Sequence, residues 1–107
     1  MVFDISEVGG LGKYTEKTEK DRVLYMVGER AFLVVNKNTI EVRCDDKLGK
    51  FLQDRYESVM ESRYFGRGGI EVVLAGQLDK GELEDLVRLS YNLTDGELKV
   101  LGGRGEV

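Results

Sequence analysis

Five basic residues stand where phosphate groups could reach them, on predicted strands or at predicted turns. They are Arg30, Lys37, Arg43, Arg63 and Arg67. Arginine and lysine bind phosphate oxygens through charge-assisted hydrogen bonds, and these bonds position a protein on nucleic acid. The glycines beside Arg67 would let the backbone approach a phosphate closely. One hypothesis is therefore a nucleic-acid surface in which Arg43 lies on the opposite face of its strand from Cys44, Arg63 lies mid-strand, and Arg30, Lys37 and Arg67 lie at the tips of turns.

Glutamates stand beside these basic residues and support a different interpretation. Glu29, Glu41, Glu61 and Glu71 fall next to the arginines or on the same strand faces. Alternating charges of this kind form cross-strand ion pairs on a solvated sheet face. The chain also carries 20 acidic against 16 basic residues, a net charge of -4, whereas strong nucleic-acid binders usually carry a basic excess. A solvated face with paired charges is thus an equally good prediction.

The composition argues against several kinds of catalysis. The chain has no histidine, which excludes Ser-His and Cys-His catalysis and metal binding by imidazole. Its one cysteine, Cys44, excludes an internal disulfide and a cysteine-based zinc site. Cys44 alternates with Ile40 and Val42, so we expect a small buried hydrophobic residue rather than a nucleophile. Nothing selects two carboxylates for acid and base roles, and we expect no enzyme activity, no bound metal and no cofactor.

Five segments with alternating or continuous apolar residues predict strands. They are 22–27, 31–36, 39–44, 60–65 and 70–74. The first three predict an antiparallel meander with turns at 28–30 and 36–38. The glycines of Gly66–Gly69 predict the turn between the last two strands.

A first helix is predicted from Asp45-Asp46 to about Ser58. Its apolar stripe, at spacings of three and four, consists of Leu48, Phe51, Leu52, Tyr56 and Val59. Gly49, within the first turn, weakens this helix by about 1 kcal/mol relative to alanine.

A second helix is predicted from Asp79 to about Leu93. It begins with a capping box, in which the side chains of Asp79 and Glu82 each accept a hydrogen bond from the backbone N–H of the other residue. Its inward-facing residues are Leu83, Leu86, Val87, Ser90 and Tyr91. Together the segments predict an α+β fold, an antiparallel sheet of about five strands with two main helices packed on one face.

Residues 1–107 are expected to form a single domain with irregular ends. Residues 1–21 read as an irregular segment in which 15–21 form a solvated turn or short helix. Residues 95–107 read as a tail with a possible edge strand at 97–101 and mobile glycines at 102–105. No apolar run approaches the length of a membrane span, and the first residues do not resemble a signal peptide, so we expect a cytoplasmic protein without membrane contact.

Residues from about 23 to 94 resemble the MmcQ/YjbR-like proteins in the order and spacing of particular positions. These positions are Gly28, Phe32, Cys44, Asp45, Glu82, Leu83, Leu86, Ser90 and Tyr91. The resemblance implies a CyaY-like (frataxin-like) fold and DNA binding, which in that family is attributed to a double-wing motif. Members of that family commonly carry a basic segment with His and Trp at the entry to the strand that begins here at Gly68–Ile70. This chain lacks the His-Trp pair, and Arg67 is the only charged residue that remains in the predicted turn.

Two further ligand classes stay open. Analogy with frataxin suggests metal binding by acidic residues around the first helix, although capping and solvation also explain them. These residues are Asp45, Asp46, Asp54, Glu57 and Glu61. Tyrosines are frequent in protein interfaces, and Tyr25, Tyr56, Tyr64 and Tyr91 could pack against a partner or a second copy. The expected function is binding without catalysis, of DNA or, alternatively, of a protein partner or a second copy.

Overall fold

The computed structural model describes the backbone of residues 3–106 and the side chains of residues 3–97. A short 3-10 helix, Ile5–Glu7, precedes six strands and two α-helices in this part of the chain. The strands are β1 (Thr15–Glu19), β2 (Arg22–Val27), β3 (Arg30–Val35), β4 (Thr39–Arg43), β5 (Val59–Ser62) and β6 (Gly66–Val73). The helices are α1 (Asp46–Arg55), between β4 and β5, and α2 (Lys80–Glu106). All neighbouring strands are antiparallel, in the order β1-β2-β3-β4-β6-β5. The predicted α+β class is confirmed, with six strands instead of about five.

Both helices cover the same face of the sheet, as predicted. Ile40 pairs with Val72 and Val42 with Ile70, so the apolar residues of β4 and β6 share one face. All four are fully buried in a core that also contains side chains of α2 and, more peripherally, of α1. Because side chains alternate along a strand, Glu41 and Glu71 point to the opposite face. We call this the helix-free face.

The prediction for residues 15–21 was wrong, because residues 15–19 form the edge strand β1. Its register with β2 runs from Thr15 opposite Met26 to Glu19 opposite Arg22. Four of its five residues are exposed and the fifth is half-buried, so β1 has no apolar alternation to reveal it. Backbone pairing with β2 forms this strand, and its charged side chains protect the exposed edge.

The predicted glycine turn at Gly66–Gly69 was also wrong, because these residues begin β6. Residues 63–65 form the loop instead, and Gly66 closes it with a φ of +62°, a conformation that favours glycine. Consequently Arg63 lies in the loop and not mid-strand, and Arg67 lies in β6 and not at a tip. Gly69 is required within β6 because a Cβ there would lie 2.5 Å from the Val42 carbonyl oxygen and 2.7 Å from Cβ of Phe65.

Helix α1 begins as predicted, since the Asp45 side chain accepts a hydrogen bond from the Leu48 N–H at 2.8 Å. It ends at Arg55, three residues before the predicted end at Ser58. Phe51 was placed wrongly on the buried stripe, because 58% of its surface is exposed. Gly49 faces the sheet, where a Cβ would lie 3.3 Å from Sγ of Cys44, so this glycine allows α1 to approach closely.

Helix α2 begins with the predicted capping box. The Asp79 side chain accepts from the Glu82 N–H at 2.8 Å, and the Glu82 side chain accepts from the Asp79 N–H at 3.0 Å. The predicted end at Leu93 was wrong, because α2 continues to Glu106. Residues 97–101 therefore continue the helix and form no edge strand, since no proline interrupts them and most are good helix formers. Within the described residues, no helix is both long and apolar enough to cross a membrane.

A β-bulge at Phe32 connects α2 to the sheet. Tyr25 pairs with Leu33 and Met26 pairs with Ala31, which leaves Phe32 without an opposite residue. The buried Ser90 hydroxyl donates to the Phe32 carbonyl and accepts from the Arg43 N–H. One helix side chain thus bridges backbone groups of β3 and β4.

Candidate functional site

The helix-free face contains two buried carboxylates at its centre. Glu41 of β4 and Glu71 of β6 lie directly opposite each other, and only 1% and 2% of their surfaces are exposed. The loop between β5 and β6 folds over them. The expected ion pairing between arginines and glutamates occurs here, since Arg63 pairs with Glu71, but the two carboxylates are buried rather than solvated.

Arg63 and Thr39 satisfy the Glu71 carboxylate. The guanidinium donates from Nε to Oε1 at 2.9 Å and from Nη2 to Oε2 at 2.7 Å, and the Thr39 hydroxyl donates to Oε2 at 2.7 Å. Burial by itself would raise the pKa of Glu71, but these hydrogen bonds and the positive charge of Arg63 outweigh it and lower the pKa below the ordinary 4.5. Glu71 is therefore held in its ionised form.

Only neutral groups among the described residues donate to the Glu41 carboxylate. Its Oε1 accepts from the Ser62 hydroxyl and from the Tyr64 N–H, both at 2.8 Å. Its Oε2 accepts from Nδ2 of Asn36 at 2.9 Å. Because two of these donors belong to the β5–β6 segment, Glu41 fastens the loop to β4.

Aromatic contacts complete the attachment of the loop. The guanidinium carbon of Arg43 lies 4.8 Å from the centroid of the Phe65 ring, and that of Arg22 lies 5.1 Å from the centroid of the Tyr64 ring. The two rings meet edge to face with centroids 4.9 Å apart. Cation–π contacts of this kind add to the hydrogen bonds, so the loop is held at both ends.

A polar cleft lies beside the two carboxylates and holds about 490 Å³. The β1–β2 turn, the β3–β4 turn and the β5–β6 loop surround it, and we call it the turn-end cleft. Its lining consists of Glu19, Lys20, Asp21, Arg22, Asn36, Lys37, Glu41 and Arg63. The volume falls within the range of small-molecule sites, roughly 300–1,000 Å³.

The charges of the turn-end cleft are unequally paired. Arg22 donates to Glu19 at 2.9 Å. Lys20 and Lys37 are exposed and form no ion pair with any side chain among residues 3–97. The Arg63 side chain is 74% exposed and uses two of its five N–H donors on Glu71, which leaves three for other groups. Lys20, Lys37 and Arg63 can therefore donate to an anion.

The structure separates the five basic residues predicted from the sequence. Lys37 and Arg63 meet at the turn-end cleft, whereas Arg30 and Arg67 lie toward the other end of the sheet. Arg43 is half-buried and donates from Nε to the Ala31 carbonyl at 2.7 Å. Burial and the nearby Arg30 lower the pKa of Arg43. These positions do not form one continuous basic band.

Arg30 and Arg67 differ in their own contacts. Nη2 of Arg30 donates to Glu97 at 2.6 Å, while its buried Nε has no hydrogen-bond partner among the described atoms. Arg67 is exposed and forms no hydrogen bond or ion pair within the described part of the chain. Lys37 and Arg67 thus have no polar partner among the described side chains, whereas Arg43 has a carbonyl and an aromatic ring as neighbours but no carboxylate partner there.

The sequence analysis missed several residues of the turn-end cleft. Lys20 and Arg22 were overlooked because β1 was not predicted, and Asn36 was assigned to the end of a strand and to a turn, without a role in binding. The position of Glu41 opposite Glu71 could have been predicted from the sequence, because the segment Ile-Glu-Val occurs twice, at 40–42 and at 70–72. Two identical segments, each with a charge between β-branched residues, predict paired strands with glutamate opposite glutamate.

The positions of the acidic side chains around α1 give weaker support to the metal-binding hypothesis. Asp45 caps α1 and Asp46 pairs with Lys50 at 3.3 Å. Among the described residues, no group of three or more cysteine, aspartate or glutamate side chains is placed to hold a metal ion. Cys44 is buried, and desolvation followed by the nearby acidic residues raises the pKa of its thiol to about 11.

The four tyrosines predicted to pack against a partner differ in exposure. Tyr91 is buried and its hydroxyl donates to the Lys13 carbonyl at 2.8 Å. Tyr25 and Tyr56 are half-buried, and only Tyr64, at 39%, counts as exposed. The tyrosines therefore do not form a common interaction surface.

Comparisons with protein-family models, with curated proteins and with solved structures returned no significant match for this chain.

Proposed function

We propose that this protein is a non-enzymatic binding protein that accepts an anionic group in the turn-end cleft. The observation that carries this proposal is the meeting of Lys20, Lys37 and Arg63 at one concave site. Neither lysine has an ion pair among the described residues, and Arg63 keeps unused N–H donors. Cations gathered in a cleft with polar walls attract anions and orient them through hydrogen bonds.

Nucleic acid is the anionic partner suggested by the resemblance to MmcQ/YjbR-like proteins. The arrangement of both helices on one face supports a CyaY-like fold, which that resemblance implies. Of the five predicted contact residues, we retain Lys37 and Arg63 and add Lys20. A contact of this size engages one or a few phosphates. For a cytoplasmic protein with a net charge of -4, such a small contact fits better than an extended DNA-binding surface, which would need a basic excess.

Titration of two probes tests this function. Inorganic phosphate is titrated by calorimetry, and a short labelled DNA duplex is titrated by fluorescence anisotropy, both at low salt. We expect Lys37→Gln and Arg63→Gln each to weaken binding about tenfold, because each variant loses one charge-assisted hydrogen bond to the anion. Arg67→Gln is the matched control, since Arg67 is exposed and distant from the cleft. Absence of binding by both probes, or equal losses in all three variants, would overturn the proposal.

A second function, association of two copies, is favoured by one observation on the helix side. Phe51 is 58% and Leu89 37% exposed, and Leu89 lines a groove of about 230 Å³ between α1 and α2. Exposed large apolar side chains on one side of a protein, together with a groove between helices, are typical of an interface. Light scattering over a range of protein concentrations tests it: a dimer that Phe51→Ser dissociates would support association, and a monomer at all concentrations would exclude it.

A further inference from the structure

Glu41 is a buried carboxylate that lines the turn-end cleft without a cationic partner. It is 1% exposed, and it forms no ion pair with any lysine or arginine among the described residues. The opposite residue, Glu71, has the bidentate partner Arg63. Buried charges in proteins are usually paired, because neutral hydrogen bonds compensate only part of the lost hydration. Glu41 thus lacks the kind of partner that Glu71 has.

The hydrogen bonds of Glu41 leave room for another donor. A carboxylate offers about four lone-pair sites. The Ser62 hydroxyl and the Tyr64 N–H occupy Oε1, and Asn36 supplies the single bond to Oε2. One acceptor position on Oε2 is therefore open, and Glu41 belongs to the lining of the cleft.

We propose that the turn-end cleft binds a small zwitterion, a molecule with one anionic group and one protonated amine. This inference rests on the proposed function, because Lys20, Lys37 and Arg63 bind the anionic group. Glu41 accepts a hydrogen bond from the ammonium group and gains a directly bonded cation, which it lacks among the described residues. An ammonium suits this position better than a hydroxyl, since only the ammonium neutralises the buried charge.

The rim of the cleft also favours a ligand that brings a single anionic group into the cleft. Glu19 and Asp21 lie among the cationic residues of the lining, and Asp21 forms no ion pair within the described residues. A second phosphate next to the bound one would meet these carboxylates and be repelled. A ligand with a single anionic group avoids this repulsion.

Calorimetric titration at neutral pH with three probes tests the inference. Phosphoethanolamine carries the phosphate and the amine, ethyl phosphate lacks the amine, and glycerol 3-phosphate has hydroxyls instead. We expect the wild-type protein to bind phosphoethanolamine about tenfold more tightly than either other probe, the value of one charge-assisted hydrogen bond. A site with cations alone would prefer ethyl phosphate, because the amine would be repelled.

Variants assign the preference to particular side chains. Glu41→Gln should abolish the preference for phosphoethanolamine, whereas Lys37→Gln should weaken all three probes to a similar extent. Arg67→Gln should change nothing. If Glu41→Gln fails to fold, the comparison of the three probes on wild-type protein still decides the question.

The outcomes separate this inference from the proposed function. Equal binding of all three probes, or a preference that survives Glu41→Gln, would overturn the zwitterion and leave the anion site intact. Glycerol 3-phosphate binding as tightly as phosphoethanolamine would also overturn it, because a hydroxyl would then suffice. If no probe, inorganic phosphate or DNA binds, the proposed function fails as well.

Discussion

Glu41 and Glu71 face each other across β4 and β6 as the central residues of two identical Ile-Glu-Val segments. Like charges at directly opposite positions destabilise a sheet unless other groups compensate them. Here the compensation comes from separate donors, with Arg63 bound to Glu71 and Ser62 bound to Glu41. Both donors belong to the β5–β6 segment, so the two carboxylates fix this segment over the helix-free face and shape one wall of the turn-end cleft.

The lowered pKa of Glu71 predicts loss of stability in acid. Its ionised form stabilises the folded state fully above the unfolded-state pKa near 4.5, and this contribution disappears as pH falls through the lower folded-state value. We expect Glu71→Gln to be less stable than wild type at neutral pH and the difference to shrink as the pH falls below 4.5. Urea denaturation at a series of pH values measures it. Glu61→Gln, at an exposed position of β5, is the control, and a difference independent of pH would contradict the assignment.

Close packing at Gly69 predicts that even one methyl group disturbs the loop. The Cβ of Gly69→Ala would approach the Val42 carbonyl and Cβ of Phe65 to less than 3 Å. We expect a loss of about 1–3 kcal/mol in the free energy of unfolding, as for overpacked cores. Gly68→Ala is the matched control, because its Cβ would lie 3.6 Å from the Phe65 carbonyl oxygen. Equal stability of the two variants in thermal and urea denaturation would show that Phe65 does not pack on Gly69.

The Ser90 bridge predicts a large effect of removing one hydroxyl. Ser90→Ala leaves the Phe32 carbonyl and the Arg43 N–H without their partner, and each buried unsatisfied group costs about 1–3 kcal/mol. We expect destabilisation of at least about 2 kcal/mol in urea denaturation. Thr94→Val should cost less, because the Thr94 hydroxyl donates to a helix carbonyl, that of Ser90. A smaller loss for Ser90→Ala than for Thr94→Val would argue against the bridge.

The environment of Cys44 predicts an unreactive thiol. Its surface is 4% exposed, and burial with the nearby acidic residues raises the pKa to about 11, so almost no thiolate forms at neutral pH. We expect a thiol-specific chromogenic disulfide to react slowly with the folded protein and rapidly after addition of denaturant. Fast labelling without denaturant would show that Cys44 is accessible. The unfolded protein supplies the internal control for reagent activity.

The number of cations at the turn-end cleft limits the salt dependence of DNA binding. If Lys20, Lys37 and Arg63 each contacted a separate phosphate, the logarithm of the association constant would fall against the logarithm of salt concentration with a slope of about -2.7. Because Glu19 and Asp21 repel a second phosphate, we expect a shallower slope, and Lys37→Gln should reduce its magnitude by at most about 0.9. A much steeper slope in fluorescence anisotropy titrations would indicate an extended DNA surface that includes Arg30 or Arg67.

The elements predicted correctly have local signals. Asp45 and the Asp79–Glu82 capping box begin their helices through bonds between residues three positions apart. Nearly continuous apolar runs in β2 and β3 and alternation along β4 predicted the meander. The errors lie where local signals conflict with distant packing. Glycines typical of a turn stand in β6, because Phe65 packs there and Val42 lies close to the backbone.

The candidate site depended even more on distant contacts. Lys37 and Arg63 were identified from the sequence as basic residues, but their meeting with Lys20 depends on the pairing of β1 with β2 and on the path of the β5–β6 loop. Arg43 was predicted to face a ligand, and in the structure its guanidinium stacks on Phe65. A side chain's charge is evident from its type, whereas its accessibility depends on what folds over it.

By itself, the sequence determined the α+β class, the two helix starts and the apolar face of β4 and β6, because periodicity and capping act over a few neighbouring residues. Only the tertiary structure decided that Glu41 and Glu71 are buried opposite each other and that a cleft lies beside them. These features arise when segments far apart in the chain are brought together, and the energy of each contact depends on its neighbours' burial and charge.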